Sequence, residues 1–476
     1  MPLFRSIQVA TLVALAAAAP SPVLAQSTGD VIRIPFERFT LSNGLQVILS
    51  PNRSVSQVAV DVWYHVGSKD DAPGRTGFAH LFEHVMFTGS GHVPYGVQDR
   101  MPTGGNRKAI GASTSWDRTN YYDIVPSNYL ETALWIESDK MGFLLDSLDE
   151  TKFKAQRDIV QNERRQDIDE VPYGRWLEII FTARYPETHP YYWPILGYMA
   201  DLRNAGVEDV KRFFRTWYAP SNATLTIVGD FDTGQAKRWI TKYFAGLARG
   251  PAVVHPATPP APLSAEKRLV FEDRVQLPQL SIAWPSAGDD ERDVWALQFL
   301  ERILAGSRTA RITKELVYNA RLARSVSAFN GGFETTGTFY LTIKPTAGHS
   351  LDEVAAAADT VIERFKRDGP TGDEMARTLA KKQFELLDTL ESNIGKAEAL
   401  SDGLVFHGDA HRVERDYATI AGITAADVQR VANQYLVHPR IMLSIVPLGK
   451  RDLAASGSTP VTVAPDGGHY LVGDKP

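Results

Sequence analysis

The sequence has no cysteine in 476 residues. Disulfides, thiolate metal sites and thiol nucleophiles are thereby excluded, and any metal must be held by His, Asp and Glu. A dominant charge is missing as well: Lys+Arg 51 against Asp+Glu 56 leaves a net charge of −5. No general electrostatic pull toward nucleic acid or an anionic membrane surface follows from that balance. Nor does any apolar run reach the ~20 residues that a membrane-spanning helix needs. What is present, 43% hydrophobic and 22% charged residues, excludes a disordered or collagen-like chain. At roughly 150 residues per domain the length predicts about three globular units, or two large ones.

The first 25 residues read as a secretory signal. Arg5 supplies a positive n-region, Val9 to Ala19 an apolar h-region, and Val23-Leu24-Ala25 the small or β-branched residues of a cleavage site. No cysteine follows to take a lipid, so a soluble product starting at Gln26, without a stable membrane anchor, is expected in a bacterial periplasm.

Residues 249–265 carry Pro251, Pro256, Pro259, Pro260 and Pro262 and read as a semi-rigid linker. It separates halves at 32–248 and 266–449, followed by a loosely held Ser-, Gly- and Pro-rich tail at 450–476. The halves look like copies. Asp209-Val210-Lys211-Arg212 through Leu225-Thr226-Ile227-Val228 matches Asp427-Val428-Gln429-Arg430 through Leu443-Ser444-Ile445-Val446 at a constant offset of 218. Within the first half, Ser42-Asn43-Gly44 signals a hairpin and residues 58–64 alternate like a half-buried strand. Helical periods follow at 130–148, 152–167 and 207–217. Strands first and helices after predict α+β architecture: two homologous sandwich domains, each an antiparallel or mixed sheet with helices packed on it.

The chemistry is concentrated in His80-Leu81-Phe82-Glu83-His84. On a helix, His80 and His84 project from one face and can reach a single metal ion. Glu83 lies on the same side, where a carboxylate serves as general base for an activated water. In a chain of this length and composition H-x-x-E-H arises by chance on the order of 0.01 times. In the second half Leu297, Leu300 and Glu301 stand at the places of His80, Glu83 and His84, so one metal per chain is expected. Two histidines leave a tetrahedral site short of a protein ligand, and Glu163, in Val160-Gln161-Asn162-Glu163-Arg164-Arg165, is the candidate for it.

With these residues the chain resembles the pitrilysin family of zinc peptidases, in the half-size branch related to mitochondrial processing peptidase. The inverted motif is followed by a Glu in an N-E-R context after 78 intervening residues, and Thr114-Ser115-Trp116-Asp117-Arg118-Thr119-Asn120-Tyr121-Tyr122 and Val125-Pro126-Ser127-Asn128 also look like family signatures. The resemblance implies one Zn2+ on His80, His84 and Glu163, with Glu83 as catalytic base. It also implies paired domains that close like a clamshell when dimeric, with a peptide or unfolded polypeptide added as a strand beside Gly111, Ala112, Ser113 and Thr114.

Two positions depart from the family pattern. Gln156 stands where the family commonly has a carboxylate that orients a zinc histidine, so an amide is expected in that supporting role. Val317 and Arg324 stand where relatives carry the Arg and Tyr that grip substrate, just before Ser325-Val326-Ser327-Ala328. A heterodimer with a second half-size family member that keeps this pair is therefore expected. The runner-up is a homodimer in which Arg324, or Arg311 and Tyr318, supplies the missing donors. The function implied is an exported zinc endopeptidase acting in a closed chamber. Its competitor is a catalytically silent peptide-binding or assembly subunit, against which the intact Glu83 argues. His65, His92 and His189 are read as packing or loop residues.

Overall fold

A computed structural model describes residues 32–106, 108–289, 292–465 and 467–473. The expected signal segment lies outside the described residues. Strands β1 (Glu37–Thr40), β2 (Gln46–Pro51), β3 (Gln57–Tyr64), β4 (Ile110–Thr114), β5 (Thr119–Pro126) and β6 (Ala223–Gly229) form a mixed sheet in the order β1-β2-β6-β3-β5-β4. Only β2 and β6 run parallel in it. The second sheet contains β7 (Lys267–Asp273), β8 (Gln279–Ser286), β9 (Ala323–Gly332), β10 (Gly337–Pro345), β11 (Ile441–Pro447), β12 (Thr459–Val463) and β13 (Tyr470–Val472), in the order β13-β12-β7-β11-β8-β10-β9.

The inner order β2-β6-β3-β5-β4 recurs as β7-β11-β8-β10-β9, parallel pair included. Leu225 pairs with Val47 in one sheet and Leu443 with Leu269 in the other, so the repeated sequence occupies equivalent strands. The α+β expectation thus holds, with sheets that are mixed rather than purely antiparallel. Residues 249–263 carry neither helix nor strand.

Seven helices position the site: α1 (Phe78–Val85), α2 (Leu130–Ser147), α3 (Glu150–Arg164), α4 (Trp176–Arg184), α5 (Asp293–Ala305), α6 (Gly372–Glu391) and α7 (Asn393–His407). Two of them cross between the halves. From the N-terminal half, α4 presses Ile179, Ile180 and Phe181 against Leu269, Ala283 and Leu443 of the second sheet. From the C-terminal half, α7 lays Ala397, Leu400 and Leu404 over Ile48 and Val228 of the first. Each sheet is therefore covered on its second face by its partner half.

That exchange corrects the expected alternation of β3. Every residue from Val58 to Tyr64 is buried, Asp61 included, because α7 covers the face that alternation assigned to water. Asp61 accepts hydrogen bonds from Trp63 Nε1 at 2.7 Å and Asn120 Nδ2 at 3.0 Å, and burial pushes its carboxyl up to about 7.

The tail is a second correction. Its Ser, Gly and Pro residues punctuate two short strands rather than a loose end. β12 pairs parallel with β7 and β13 antiparallel with β12, which covers the backbone groups that β7 would otherwise expose. Tyr470 is buried there, and its hydroxyl donates to Glu178 Oε2 on α4 at 2.5 Å.

Candidate metal centre

Helix α1 follows β3 and owes its start to Asp71, whose carboxylate accepts from the backbone N–H of Gly77 at 2.7 Å and of Ala79 at 3.0 Å. Gly77 has φ +86, and a Cβ there would meet Leu196 O at 2.6 Å, so the entry turn requires glycine. Phe78, Leu81, Phe82 and Val85 bury one face of α1 in the first core. His80 and His84 occupy the opposite stripe, toward α3, with ring centroids 4.8 Å apart.

Helix α3 is capped by the Asp149 side chain, which accepts from Lys152 N at 2.8 Å, and delivers Glu163 in its last turn. Glu163 Oε2 lies 3.1 Å from His84 Nε2, and Oε1 lies 3.8 Å from His80 Nε2. One donor atom from each of the three falls within 4.8 Å of the others, and this is the one such cluster among the described residues. A pair of imidazoles and a carboxylate converging at that spacing is the donor chemistry that zinc takes, with a fourth position left for water or substrate.

The electrostatics fit that reading. Burial and then the neighbouring His84 push the His80 imidazole down to about 4, against the pull of Glu163, so His80 is neutral at pH 7, as a ligand must be. The hydrogen bond with His84 holds Glu163 below the usual carboxylate range. Burial raises Glu83, while the hydrogen bond from Thr114 Oγ1 to Glu83 Oε2, at 2.5 Å, opposes the rise.

Gly111, Ala112, Ser113 and Thr114 all lie on β4, the outer strand of the first sheet. Gln156 does not make the supporting contact expected of it. It makes no hydrogen bond to His80, whose buried Nδ1 has no protein partner, and instead lines a groove of about 540 Å³ beside β4 with Phe87, Tyr95, Gly111, Ala112 and Ile159. Arg324 is exposed on β9, the opposite outer strand, where its charge lies beside Tyr173 rather than the histidine cluster.

Of the other donors weighed for the homodimer, Arg311 is committed to a carboxylate, whereas Tyr318 is engaged only as an acceptor. Arg311 Nε and Nη2 bind Glu374 at 2.8 and 2.7 Å, and Tyr318 accepts from Arg308 Nε at 3.0 Å. His65, His92 and His189 pair with Glu334, Asp139 and the Pro259 carbonyl, in keeping with packing roles.

Sequence reasoning missed Arg118, which donates to the Ser113 carbonyl at 2.8 Å and whose positive field reaches Glu83. Its only signal was its place in the Thr114–Tyr122 stretch. It also missed what fills the equivalent place in the second half. There Leu297 and Leu300 enter the core, while Glu301 accepts from Asn330 N at 2.5 Å and lies 3.8 Å from Lys382 Nζ of α6. A lysine ammonium supplies the positive charge where the first half gathers metal donors.

Two family profiles match the chain: "Insulinase (Peptidase family M16)" over residues 46–187 and "Peptidase M16 inactive domain" over residues 204–382. The chain belongs to the half-size pitrilysin (M16) peptidase family. This M16 chain is 28% identical over 406 residues to the zinc protease PqqE of Helicobacter pylori, covering 84% of this chain and 90% of that one. It is 25% identical over 446 residues to a probable mitochondrial-processing peptidase subunit beta of Arabidopsis thaliana, covering 90% and 81%. A crystal structure of a protease from Helicobacter pylori matches it with a TM-score of 0.79 at 26% identity, over 87% of this chain and 100% of that one. These relatives support a peptidase role in general terms and imply zinc.

Proposed function

We propose that the chain is an exported zinc endopeptidase that hydrolyses peptides or unfolded segments, with zinc on His80, His84 and Glu163. The observation that carries this reading is the convergence of those three side chains on one point, with Glu83 one residue from His84 and oriented by Thr114. Zinc bound there supplies Lewis-acid polarisation of the scissile carbonyl and a water of lowered pKa. Glu83 Oε takes the proton from the attacking water and passes it to the leaving amine. A carboxyl whose burial favours the protonated form is suited to hold that proton between the two steps.

The outer edge of β4 offers unpaired backbone groups to an extended peptide, which would join the sheet as a further strand. The groove at Phe87, Tyr95 and Ile159 would take side chains of that peptide. Export to the periplasm rests on the sequence of the first 25 residues. Among the described residues no helix is long and apolar enough to cross a membrane.

Metal content tests the ligands. The chain is expected to hold one zinc, and Glu163→Ala, His80→Ala and His84→Ala are each expected to lose it, as read by elemental analysis after dialysis. Full occupancy in Glu163→Ala would refute the assignment, and two equivalents in the wild type would contradict a metal-free second half.

Partnership is the finer part of the reading. With Val317 packed against the second core and Arg311 held by Glu374, the Arg311/Tyr318 pair is broken, and Arg324 is the one cation still free among the donors weighed for a homodimer. A heterodimer with a half-size relative carrying the Arg/Tyr pair is therefore preferred. Adding such a partner to the purified chain is expected to raise kcat/KM by about tenfold or more, the worth of one good transition-state contact. A stable homodimer whose high activity no partner raises would overturn it.

A further inference from the structure

Arg184, the last residue of α4, is buried where that helix lies on the second sheet, with 4% of its surface exposed. Its Nε and Nη1 have no hydrogen-bond partner, and no carboxylate pairs with it among the described residues. Three buried hydroxyls lie nearby: that of Thr338 interacts with those of both Tyr185 and Tyr340, and Tyr185 also with Thr336, but none of them gives Arg184 a counter-charge. The charged or titratable groups that feel Arg184 are Tyr185, Tyr340, His189 and Lys267, none of them an acid near neutral pH. Lys267 is occupied, donating to the Ala183 carbonyl at 2.6 Å.

Some compensation exists. The guanidinium carbon sits 4.9 Å from the centre of the Tyr185 ring, and the C-terminal end of a helix favours a cation. Neither gives its N–H groups an acceptor, and a guanidinium has no acceptor capacity of its own. Ordered water would satisfy the guanidinium N–H groups but leave the charge uncompensated. A small monovalent anion satisfies both needs, because it accepts from the guanidinium and from any hydroxyl hydrogen left over beside it, and cancels the buried charge.

We propose that Arg184, Tyr185, Thr338 and Tyr340 form an anion site of the chloride class between α4 of the N-terminal half and the second sheet. The ion would pin α4 to that sheet. α4 also carries Glu178, which holds Arg164 beside Glu163, so the site lies behind the metal centre without belonging to it.

The test uses the zinc-loaded chain transferred to sodium gluconate and titrated with sodium chloride or bromide at constant ionic strength. Thermal unfolding is expected to shift upward by about 3 °C and to saturate, as binding to the folded state alone requires. Arg184→Gln is expected to abolish the saturating part, and Tyr340→Phe to raise the half-saturating halide concentration about tenfold, the effect of one charge-assisted hydrogen bond. Crystals grown in bromide should show an anomalous peak in contact with Arg184. Should Arg184→Gln fail to fold, Tyr340→Phe and the bromide crystals decide. Ordered water alone at Arg184 in those crystals would overturn the proposal. So would a shift that does not saturate, one that Tyr340→Phe leaves unchanged, or one that sulfate reproduces equally.

Discussion

Glu83→Gln is expected to retain a full equivalent of zinc and to hydrolyse peptides about 10²–10⁴-fold more slowly, the range that a positioned general base contributes. The substitution is nearly isosteric, and its amide oxygen can still accept the hydrogen bond from Thr114 Oγ1, so helix α1 and the spacing of His80 and His84 should be undisturbed. What it removes is the ability to take and return a proton. Zinc analysis and a fluorogenic peptide assay on one preparation separate the two properties. A variant that kept more than about a tenth of wild-type turnover would remove Glu83 from the mechanism, since no base worth 10²-fold could have been lost. A variant that lost zinc as well would show that the carboxylate also supports the ligands.

Arg164→Met is expected to produce the largest loss of stability. The guanidinium is 2% exposed and reaches both carboxylate oxygens of Glu178 at 3.0 Å, the Gly197 carbonyl at 2.6 Å and Asp169 at 3.5 Å. Its pKa rises even though burial opposes the charge, because Glu178 and then Asp169 more than offset the desolvation. Removing it leaves the buried Glu178, already bound by Tyr470, without its counter-charge, which costs about 3–5 kcal/mol. Because Arg164 fixes the end of α3 one residue beyond Glu163, zinc affinity should also fall, by about 10–100-fold. Chemical denaturation monitored with zinc bound reads the first effect, and competition with a chelator reads the second. Adding Glu178→Leu should restore part of the stability, since an apolar pair is cheaper to bury than a lone carboxylate. A single variant within about 1 kcal/mol of wild type would mean that the ion pair is not what anchors α3.

Much of the site was legible because its parts are local. The four-residue spacing of His80 and His84 puts both on one stripe of any helix, and Glu83 necessarily lies beside them. The duplicated architecture was legible at Leu225 and Leu443 because equivalent strands bury equivalent apolar residues. Gln156 was placed by analogy with a carboxylate seven residues before Glu163, and the structure turns it into the groove instead. In the acidic run at Asp167–Glu170 nothing in the sequence marks out one residue for pairing. Asp169 there pairs with Arg164 and Arg175, because the chain turns back under α4. The tail was misread for a related reason. Composition records turn residues, whereas a strand of three to five residues is recruited by an edge that the sequence cannot display.

By itself the sequence determined the chemistry available: no thiol, two imidazoles and a carboxylate at helical spacing, two copies of one fold, and one copy without the paired histidines. Only the tertiary structure decided which distant groups meet. Glu163 reaches the histidines because α3 packs against α1, β3 loses its solvent face because α7 crosses from the other half, and Arg184 is buried because α4 crosses the opposite way. Local patterns follow from backbone geometry within a few residues, so they are written in the chain. The crossing of helices follows from which apolar faces remain uncovered once both sheets have formed, and that is a property of the assembled fold.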